Sequence, residues 1–311
     1  MVKKVLITGG AGFIGSHIVD LLLDKGYIPI VIDNLSSGVR TNVPSSVKFY
    51  QVDVASSEIE EVFRSERPDL VIHHAAQIQV SRSLNNPFED AEINILATIR
   101  LLSLSVRYKV QKFIFSSSCA VYGDQGEMSI EESTPPNPMS FYGISKWASE
   151  RYIQLFRELF GLPYTIFRYA NVYGPRQSLQ GEGGVVSILI QEMLRRNCPV
   201  IYGDGKQTRD FVYVKDVAAA NILALGRGDN QVFNIGRNQQ TSVKTLCDII
   251  SGQLSSSLRP IYRNKRMGDI EHSSLNFDLA KQVLAWNPTI GLDEGIMRTI
   301  EYYKAISDKN S

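Results

Sequence analysis

After a first β-branched run, Val5 to Ile7, the chain reads Thr8-Gly9-Gly10-Ala11-Gly12-Phe13-Ile14-Gly15, in which Gly10, Gly12 and Gly15 satisfy G-x-G-x-x-G. Alone the pattern is weak, but here an apolar strand precedes it, an amphipathic helix follows, and Asp33 stands 18 residues after Gly15 at the end of a second strand. Glycines permit the tight turn and the close approach of a ligand to the backbone. The helix N-terminus offers unpaired N–H groups and the positive end of a dipole to a pyrophosphate. Gly9, Gly12, Phe13, Ile14 and Gly15 are therefore candidate cofactor contacts. Asp33, with Asn34 beside it, is suited to accept hydrogen bonds from ribose hydroxyls. A carboxylate there repels a 2′-phosphate, so NAD is expected in preference to NADP. Asp53 and Val54, at the end of a third strand, are candidates for the adenine edge.

The first half of the chain alternates short apolar runs with longer amphipathic stretches, the pattern of a parallel sheet covered by helices on both faces. Strands are expected at Val5 to Ile7, Ile28 to Ile32, Val47 to Val52, Leu70 to His73, Lys112 to Ser116 and Tyr164 to Arg168. Helices are expected at Ile14 to Lys25, Ser57 to Glu66, Phe88 to Tyr108 and Tyr142 to Phe160. The second half repeats the alternation less regularly, with Pro and Gly at Gly174-Pro175, Gly181 to Gly184 and Asn287-Pro288. The reading is an α/β chain with a Rossmann-type doubly wound parallel sheet over residues 1–170 and a smaller substrate-binding α/β domain over 171–311, from which segments return to the first.

Composition excludes several other classes. The 33 Lys and Arg balance 32 Asp and Glu, so no basic field exists to hold a nucleic acid. The three cysteines, Cys119, Cys198 and Cys247, are unclustered and odd in number, which speaks for a reducing, cytoplasmic setting and against a disulfide framework or a zinc site. No apolar run approaches the roughly 18 residues of a membrane span. Lys3-Lys4 and the apolar residues after them imitate a signal peptide only until Gly9, and the start reads as mature sequence.

Tyr-x-x-x-Lys occurs at Tyr108/Lys112, Tyr142/Lys146 and Tyr202/Lys206. The first straddles a helix-to-strand junction and the third runs through Gly203 and Gly205. Only Tyr142 and Lys146 share a helix, one turn apart, on a segment whose core stripe is expected at Ala148, Tyr152, Leu155 and Leu159. A phenol of pKa about 10 is a poor base at pH 7, but an adjacent ammonium and a cationic nicotinamide ring both favour the phenolate. A fall of about three units corresponds to about 4 kcal/mol. The pair can then act as general acid and base. Ser118 closes a strand 24 residues before Tyr142, at the carboxyl edge where ligands bind in such sheets, and its hydroxyl can bond the substrate oxygen that Tyr142 deprotonates. His73 and His74 point to opposite faces of a strand and read as structural rather than metal-binding.

Together TGGAGFIG at 8–15, DNLSSG at 33–38, SSSCAVYG at 116–123 and YGISK at 142–146 resemble the extended short-chain dehydrogenase/reductase family, and within it most closely the UDP-glucose 4-epimerases. The resemblance continues in RYANVYGPRQ at 168–177, YGDGKQTRDFVYVKD at 202–216 and MGDIEHSSLNFDLAK at 267–281. It implies that Tyr142 is the acid/base, that Ser118 assists, that Lys146 positions the nicotinamide ribose, and that Asn94, Ser116 and Tyr169 lie at the cofactor. Asn171, Val200, Tyr202, Arg209, Arg266 and Asp269 match positions that contact UDP. Arg209 and Arg266 suit a diphosphate, since each guanidinium is a fixed fork of donors, and Tyr202 can pack on uracil.

Related dehydratases carry Asp-Glu, and related decarboxylases a Glu, where this chain has Cys119-Ala120. Without an acid there, elimination of water is not supported, and the expected reaction is NAD-dependent epimerisation at C4 of a UDP-hexose through a transient 4-keto sugar. The residue seven after Arg266 gates the pocket around C2 in this family, and a bulky Tyr there excludes N-acetyl groups. Here it is Ser273, so UDP-N-acetylglucosamine and UDP-N-acetylgalactosamine are expected alongside UDP-glucose and UDP-galactose. A UDP-glucuronate epimerase or a nucleotide-sugar reductase remains the alternative; Arg82 and Arg176 are unplaced candidates for a substrate carboxylate. Cys119 reads as a buried thiol. The helices over 88–108 and 142–160 match those that join homodimers in relatives.

Overall fold

Val5, Leu6 and Ile7 in β1 (Lys4–Thr8) are fully buried, as a strand covered on both faces requires of consecutive apolar residues. The structure, a computed structural model, describes residues 2–178, 184–265 and 270–309. From β1 the chain passes through α1 (Phe13–Asp24), β2 (Ile28–Ile32), β3 (Lys48–Tyr50), α2 (Ile59–Glu66) and β4 (Leu70–His73). Short α3 (Val80–Asn85) and α4 (Pro87–Ala91) follow, then a π-helical turn at Glu92–Leu96 that runs into α5 (Ala97–Arg107). Next come β5 (Lys112–Ser118), α6 (Phe141–Phe160) and β6 (Tyr164–Tyr169).

These strands form one parallel sheet, in the order β6-β5-β4-β1-β2-β3, and a strand from much later in the chain, β10 (Gln231–Ile235), is added beside β6. The strand order reverses between β1 and β4, and a crevice opens at the carboxyl ends on either side of such a switch. Gly9 packs there with φ +70°, so close to β4 that a Cβ would stand 2.7 Å from the Ala75 nitrogen. Only glycine satisfies both conditions.

Between β6 and β10 the chain builds β7 (Asn171–Tyr173), α7 (Val185–Leu194), β8 (Val200–Tyr202), β9 (Thr208–Tyr213) and α8 (Val214–Ala224). After β10 come β11 (Gln240–Ser242), α9 (Val243–Gln253), β12 (Ile261–Arg263), α10 (Asp278–Leu284) and α11 (Leu292–Lys309). β7, β9 and β11 make a three-stranded sheet and β8 pairs with β12. Helices α1, α8 and α10 share one apolar core on the large sheet, α2, α5 and α6 share the core of the opposite face, and α7, α9 and α11 enclose a third with β8 and β9. None of the described helices is long and apolar enough to cross a membrane, and the described residues include no group of three His, Cys, Asp or Glu fit to hold a metal.

Two expectations need correction. The helix over Phe88 to Tyr108 is interrupted by the π-turn, and its residues share side-chain bonds with α6 rather than continuing a regular ladder. The apolar stripe of α6 does not face the core: Tyr152, Leu155 and Leu159 are exposed. The buried face is Ser145, Lys146, Ser149, Glu150 and Ile153, because this helix presents functional and hydrogen-bonding groups to the sheet edge. Periodicity locates an apolar face; it does not say whether that face meets the core or another surface.

Candidate active site

The glycine loop folds as its composition dictates. Gly12 caps α1 without a side chain that would take up the first N–H groups of the helix. Gly15 sits so close under the turn that a Cβ would stand 2.2 Å from the Gly9 oxygen. Asp33, 7 % exposed, accepts from the Ala11 nitrogen at 2.9 Å and the Leu35 nitrogen at 2.8 Å, which fixes its carboxylate against the loop. Asn34 donates to Asp53 at 2.7 Å, and the Ala55 nitrogen is bonded to the other Asp53 oxygen at 2.7 Å. Val54 is buried beside them. Phe13 and Ile14 form the partly buried first turn of α1.

The Tyr142–Lys146 pair enters from the other side of the crevice. Ser140 caps α6 by accepting from the Gly143 nitrogen at 3.0 Å, so the helix begins at Phe141 and Tyr142 lies in its first turn. The Tyr142 side chain stands beside Ser118, the last residue of β5, whose oxygen accepts from the Ala120 nitrogen at 3.2 Å. Lys146 is buried, donates to the Ser116 carbonyl at 2.9 Å, and lies 4.9 Å from the centre of the Phe115 ring and 6.0 Å from that of Tyr142. Asn94, on the π-turn, donates to the Ser145 hydroxyl at 3.0 Å, joining that turn to α6. Tyr169 closes β6, stacked on His74 and accepting from Asn221 at 2.8 Å.

The charges differ from the expectation of a phenol lowered by its lysine. Burial pushes Tyr142 up to about 12, against the effect of the neighbouring Ser118 hydroxyl. Burial pulls Lys146 down to about 8, opposed by the fields of Asp90 and Glu150. The ammonium is held by the Ser116 carbonyl rather than by the phenol, so in the free protein desolvation outweighs the cation.

The opposite wall is built from side chains. Cys119, half-buried, lies between Ser118 and Ser273, and it feels the charge of Arg209 on β9; desolvation raises its thiol. Ser118, Cys119, Ser273 and Tyr142 thus form one continuous patch. Asn171 lies on β7 one strand from Arg209, while Val200 and Tyr202 lie on β8 with Ile261 and Arg263 as partners. Arg266 and Asp269 fall outside the described residues. Arg82 is ion-paired with Glu89 and Arg176 with Asp20 at 2.7 Å, so both unplaced cations already have carboxylate partners. Glu150 escaped sequence reasoning; it is 1 % exposed and takes a two-point ion pair from Arg168 and a hydrogen bond from Ser117. Its i+4 spacing from Lys146 is the one signal the sequence carries, and that spacing does not reveal its burial.

A model of the NAD dependent epimerase/dehydratase family matches residues 5–236. The chain belongs to that family. Among solved structures it is similar to the UDP-glucose 4-epimerase of Thermotoga maritima with UDP-glucose, with 44% identity, a TM-score of 0.96, and 98% of this chain and 99% of the other covered. The UDP-glucose 4-epimerase of Thermus thermophilus in complex with NAD shares 38% identity at a TM-score of 0.93, over 97% and 99% of the two chains. The UDP-N-acetylglucosamine 4-epimerase of Methanobrevibacter ruminantium in complex with UDP-N-acetylmuramic acid shares 36% at 0.94, over 98% and 99%. Membership makes the protein an NAD-dependent isomerase of the extended short-chain dehydrogenase/reductase type. Its residues fit that cofactor: a cradle at Gly9 and Gly15 that any Cβ would fill, a helix start without a side-chain cap, and a carboxylate fixed where a ribose would lie.

Proposed function

We propose that this enzyme interconverts the C4 epimers of UDP-hexoses, UDP-glucose with UDP-galactose and UDP-N-acetylglucosamine with UDP-N-acetylgalactosamine. The observation that carries the reading is the placing of Ser118, at the end of β5, beside Tyr142, one helical turn from Lys146, with Cys119 and Ala120 in place of any carboxylate. Such a site can move one proton on and off a hydroxyl, and it has no second acid for eliminating water. Bound NAD would supply the redox chemistry, taking hydrogen from C4 and returning it to the other face of the transient 4-keto sugar. Tyr142 takes the C4 hydroxyl proton and gives it back, and Ser118 bonds the same oxygen. Lys146, with Asn94, Ser116 and Tyr169 around it, holds the nicotinamide ribose. Gly9, Gly12, Phe13, Ile14 and Gly15 take the pyrophosphate, and Asp33, Asn34, Asp53 and Val54 the adenosine.

The nucleotide of the substrate is held by Asn171, Val200, Tyr202, Arg209, Arg266 and Asp269, which leaves the hexose free to turn over. Residues 1–170 serve the cofactor and 171–311 the UDP-sugar, with β10 as the segment that rejoins the large sheet. The small Ser273 at the sugar supports acceptance of N-acetyl groups. The partners already engaged by Arg82 and Arg176 weigh against a substrate carboxylate, hence against glucuronate. Exposed Ile144, Trp147, Tyr152, Leu155 and Leu159 on α6 support a homodimer through that helix. Three free thiols support a reducing, cytoplasmic setting.

Proton NMR of the purified protein with catalytic NAD and each of UDP-glucose, UDP-N-acetylglucosamine and UDP-glucuronate tests this. The expected result is the axial C4 epimer from the first two, with no net NADH, and a loss of about 10³-fold or more in Tyr142→Phe. Unchanged sugars, or stoichiometric turnover of cofactor, would make the reaction a different one.

A further inference from the structure

Asp90 on α4 is a carboxylate 1 % exposed whose bonded neighbours are uncharged: Oδ1 accepts from Gln77 Nε2 at 2.8 Å and from Asn94 Nδ2 at 3.1 Å. No Lys or Arg among the described residues forms an ion pair with it. An asparagine carbonyl could accept the same two bonds without the cost of burying a charge, so the charge needs a recipient. The chain of bonds shows where it acts. Asn94 Nδ2 also reaches the Ser145 hydroxyl at 3.0 Å, Ser145 donates to the Tyr142 carbonyl at 3.0 Å, and Ser149 donates to the Asn94 carbonyl at 2.8 Å. Asp90 thus stands at the root of a network that grips the first two turns of α6, between Tyr142 and Lys146.

We propose that Asp90 is a positioning residue for the Tyr142–Lys146 pair, its amide bonds fixing the start of α6 through Asn94 and Ser145 and its unpaired charge serving as counter-charge to the Lys146 ammonium. The inference rests on the reading that Tyr142 and Lys146 carry the proton chemistry. Among the described residues, the other charged or titratable groups facing Lys146 and Tyr142 are Glu150, already neutralised by Arg168; His73 and His74, which burial keeps neutral; Cys119, whose thiol burial raises; and Tyr169, whose phenol burial pushes up like that of Tyr142. Asp90 is the carboxylate left in this set without an ion pair. Its field favours the protonated forms of both Lys146 and Tyr142, so its removal shifts both titrations toward acid.

The test compares wild type, Asp90→Asn, Asp90→Glu and Ser145→Ala as full-length, NAD-loaded enzyme. Two readouts are taken: kcat and KM for UDP-glucose across pH, and the tyrosinate ultraviolet difference absorbance against pH without substrate, referenced to Tyr142→Phe. Asp90→Asn is expected to move both limbs of the kcat profile and the Tyr142 titration about one pH unit toward acid, with KM within about twofold. Asp90→Glu is expected to restore most of the shift, and Ser145→Ala to lower kcat about tenfold with the limbs in place. A profile of Asp90→Asn that superimposes on wild type, or falls at every pH with the tyrosinate titration unmoved, overturns the proposal. If Asp90→Asn does not fold, an unchanged kcat in Ser145→Ala, which would show that the bonds from Asp90 through Asn94 and Ser145 do not position Tyr142, overturns it. The titration needs no turnover, so it decides the role of Asp90 even if UDP-glucose is not the substrate, whereas an active Tyr142→Phe would remove the acid/base reading itself.

Discussion

On one side of the Tyr142 crevice the glycine loop offers main-chain N–H groups and a helix start; on the other, Ser118, Cys119, Ser273 and Arg209 offer side chains carried on a strand end, a loop and a short strand. The first wall depends on the absence of atoms. Its tolerance is measured in tenths of an ångström, and any side chain added there displaces the ligand or the loop. The second wall depends on which atoms are present, so substitutions there alter what is recognised before they alter whether the chain folds. A cofactor used unchanged in every turnover suits the first kind of wall. Substrates that vary from enzyme to enzyme suit the second.

The difference is broken most directly at Gly15. A Cβ there meets the Gly9 oxygen at 2.2 Å and the Gly10 Cα at 2.9 Å, both backbone atoms with nowhere to move. Gly15→Ala is expected to cost about 4 kcal/mol and to yield protein without bound NAD, read by thermal unfolding and cofactor absorbance. Gly26→Ala is the control: unlike the helical Gly15 it has a left-handed φ of +77°, but nothing lies within 4 Å, so the expected cost is about 1 kcal/mol with NAD retained. A loss at Gly15 no larger than that at Gly26, with NAD retained, would show that the close approach in the cradle is not what limits it.

The side-chain wall is tested next at Asp210. Its buried carboxylate accepts from the Arg237, Asn238 and Leu275 nitrogens, at 2.9 Å from Arg237 and 3.0 and 3.1 Å from the others, tying β9 to the loop after β10 and to the segment that carries Ser273. Burial nonetheless pushes it up to about 6. The folded state therefore holds this proton to higher pH than the unfolded chain, for which a carboxyl titrates near 3.9. The resulting stabilisation is full below pH about 4 and is lost as pH rises through about 6, a change of up to about 3 kcal/mol. Denaturant unfolding from pH 4 to 7 should show this downward trend in wild type relative to Asp210→Asn. Parallel curves would mean that the three N–H donors already satisfy the ionised group.

How much could be read beforehand follows the same division. The glycine loop, Asp33 and the parallel strands are local or periodic features, and β1, β2 and β4 fall within a residue or two of their expected places. Ser118 and Tyr142, 24 residues apart in the chain, meet because strand β5 ends and helix α6 begins at the same edge, an outcome of topology that the fold class itself dictates. What escaped was long-range or polar. β10 joins the sheet some 60 residues after β6, and nothing in five apolar residues says which edge they will extend. Glu150 and Asp90 look like solvated helix charges until their burial is known. The stripe of α6 was legible as a stripe, but its spacing does not say that it turns away from the core.

The finest discrimination falls at Ser273, buried beside Cys119, where a larger side chain has to displace its neighbours. If this position borders C2 of the sugar, a tyrosine ring removes room for an N-acetyl group while leaving a hydroxyl accommodated. Ser273→Tyr is then expected to lower kcat/KM for UDP-N-acetylglucosamine about 10- to 100-fold relative to UDP-glucose, a difference of about 1.4 to 2.7 kcal/mol. NAD content and the pH profile with UDP-glucose should be unchanged, because the substitution touches the side-chain wall alone. Ser273→Ala, which removes the hydroxyl without adding bulk, separates size from polarity and should leave the ratio within about threefold. An unchanged ratio in Ser273→Tyr would place the C2 group elsewhere along the wall. A loss of NAD in the same variant would show that the two walls are mechanically one, against the division drawn between them.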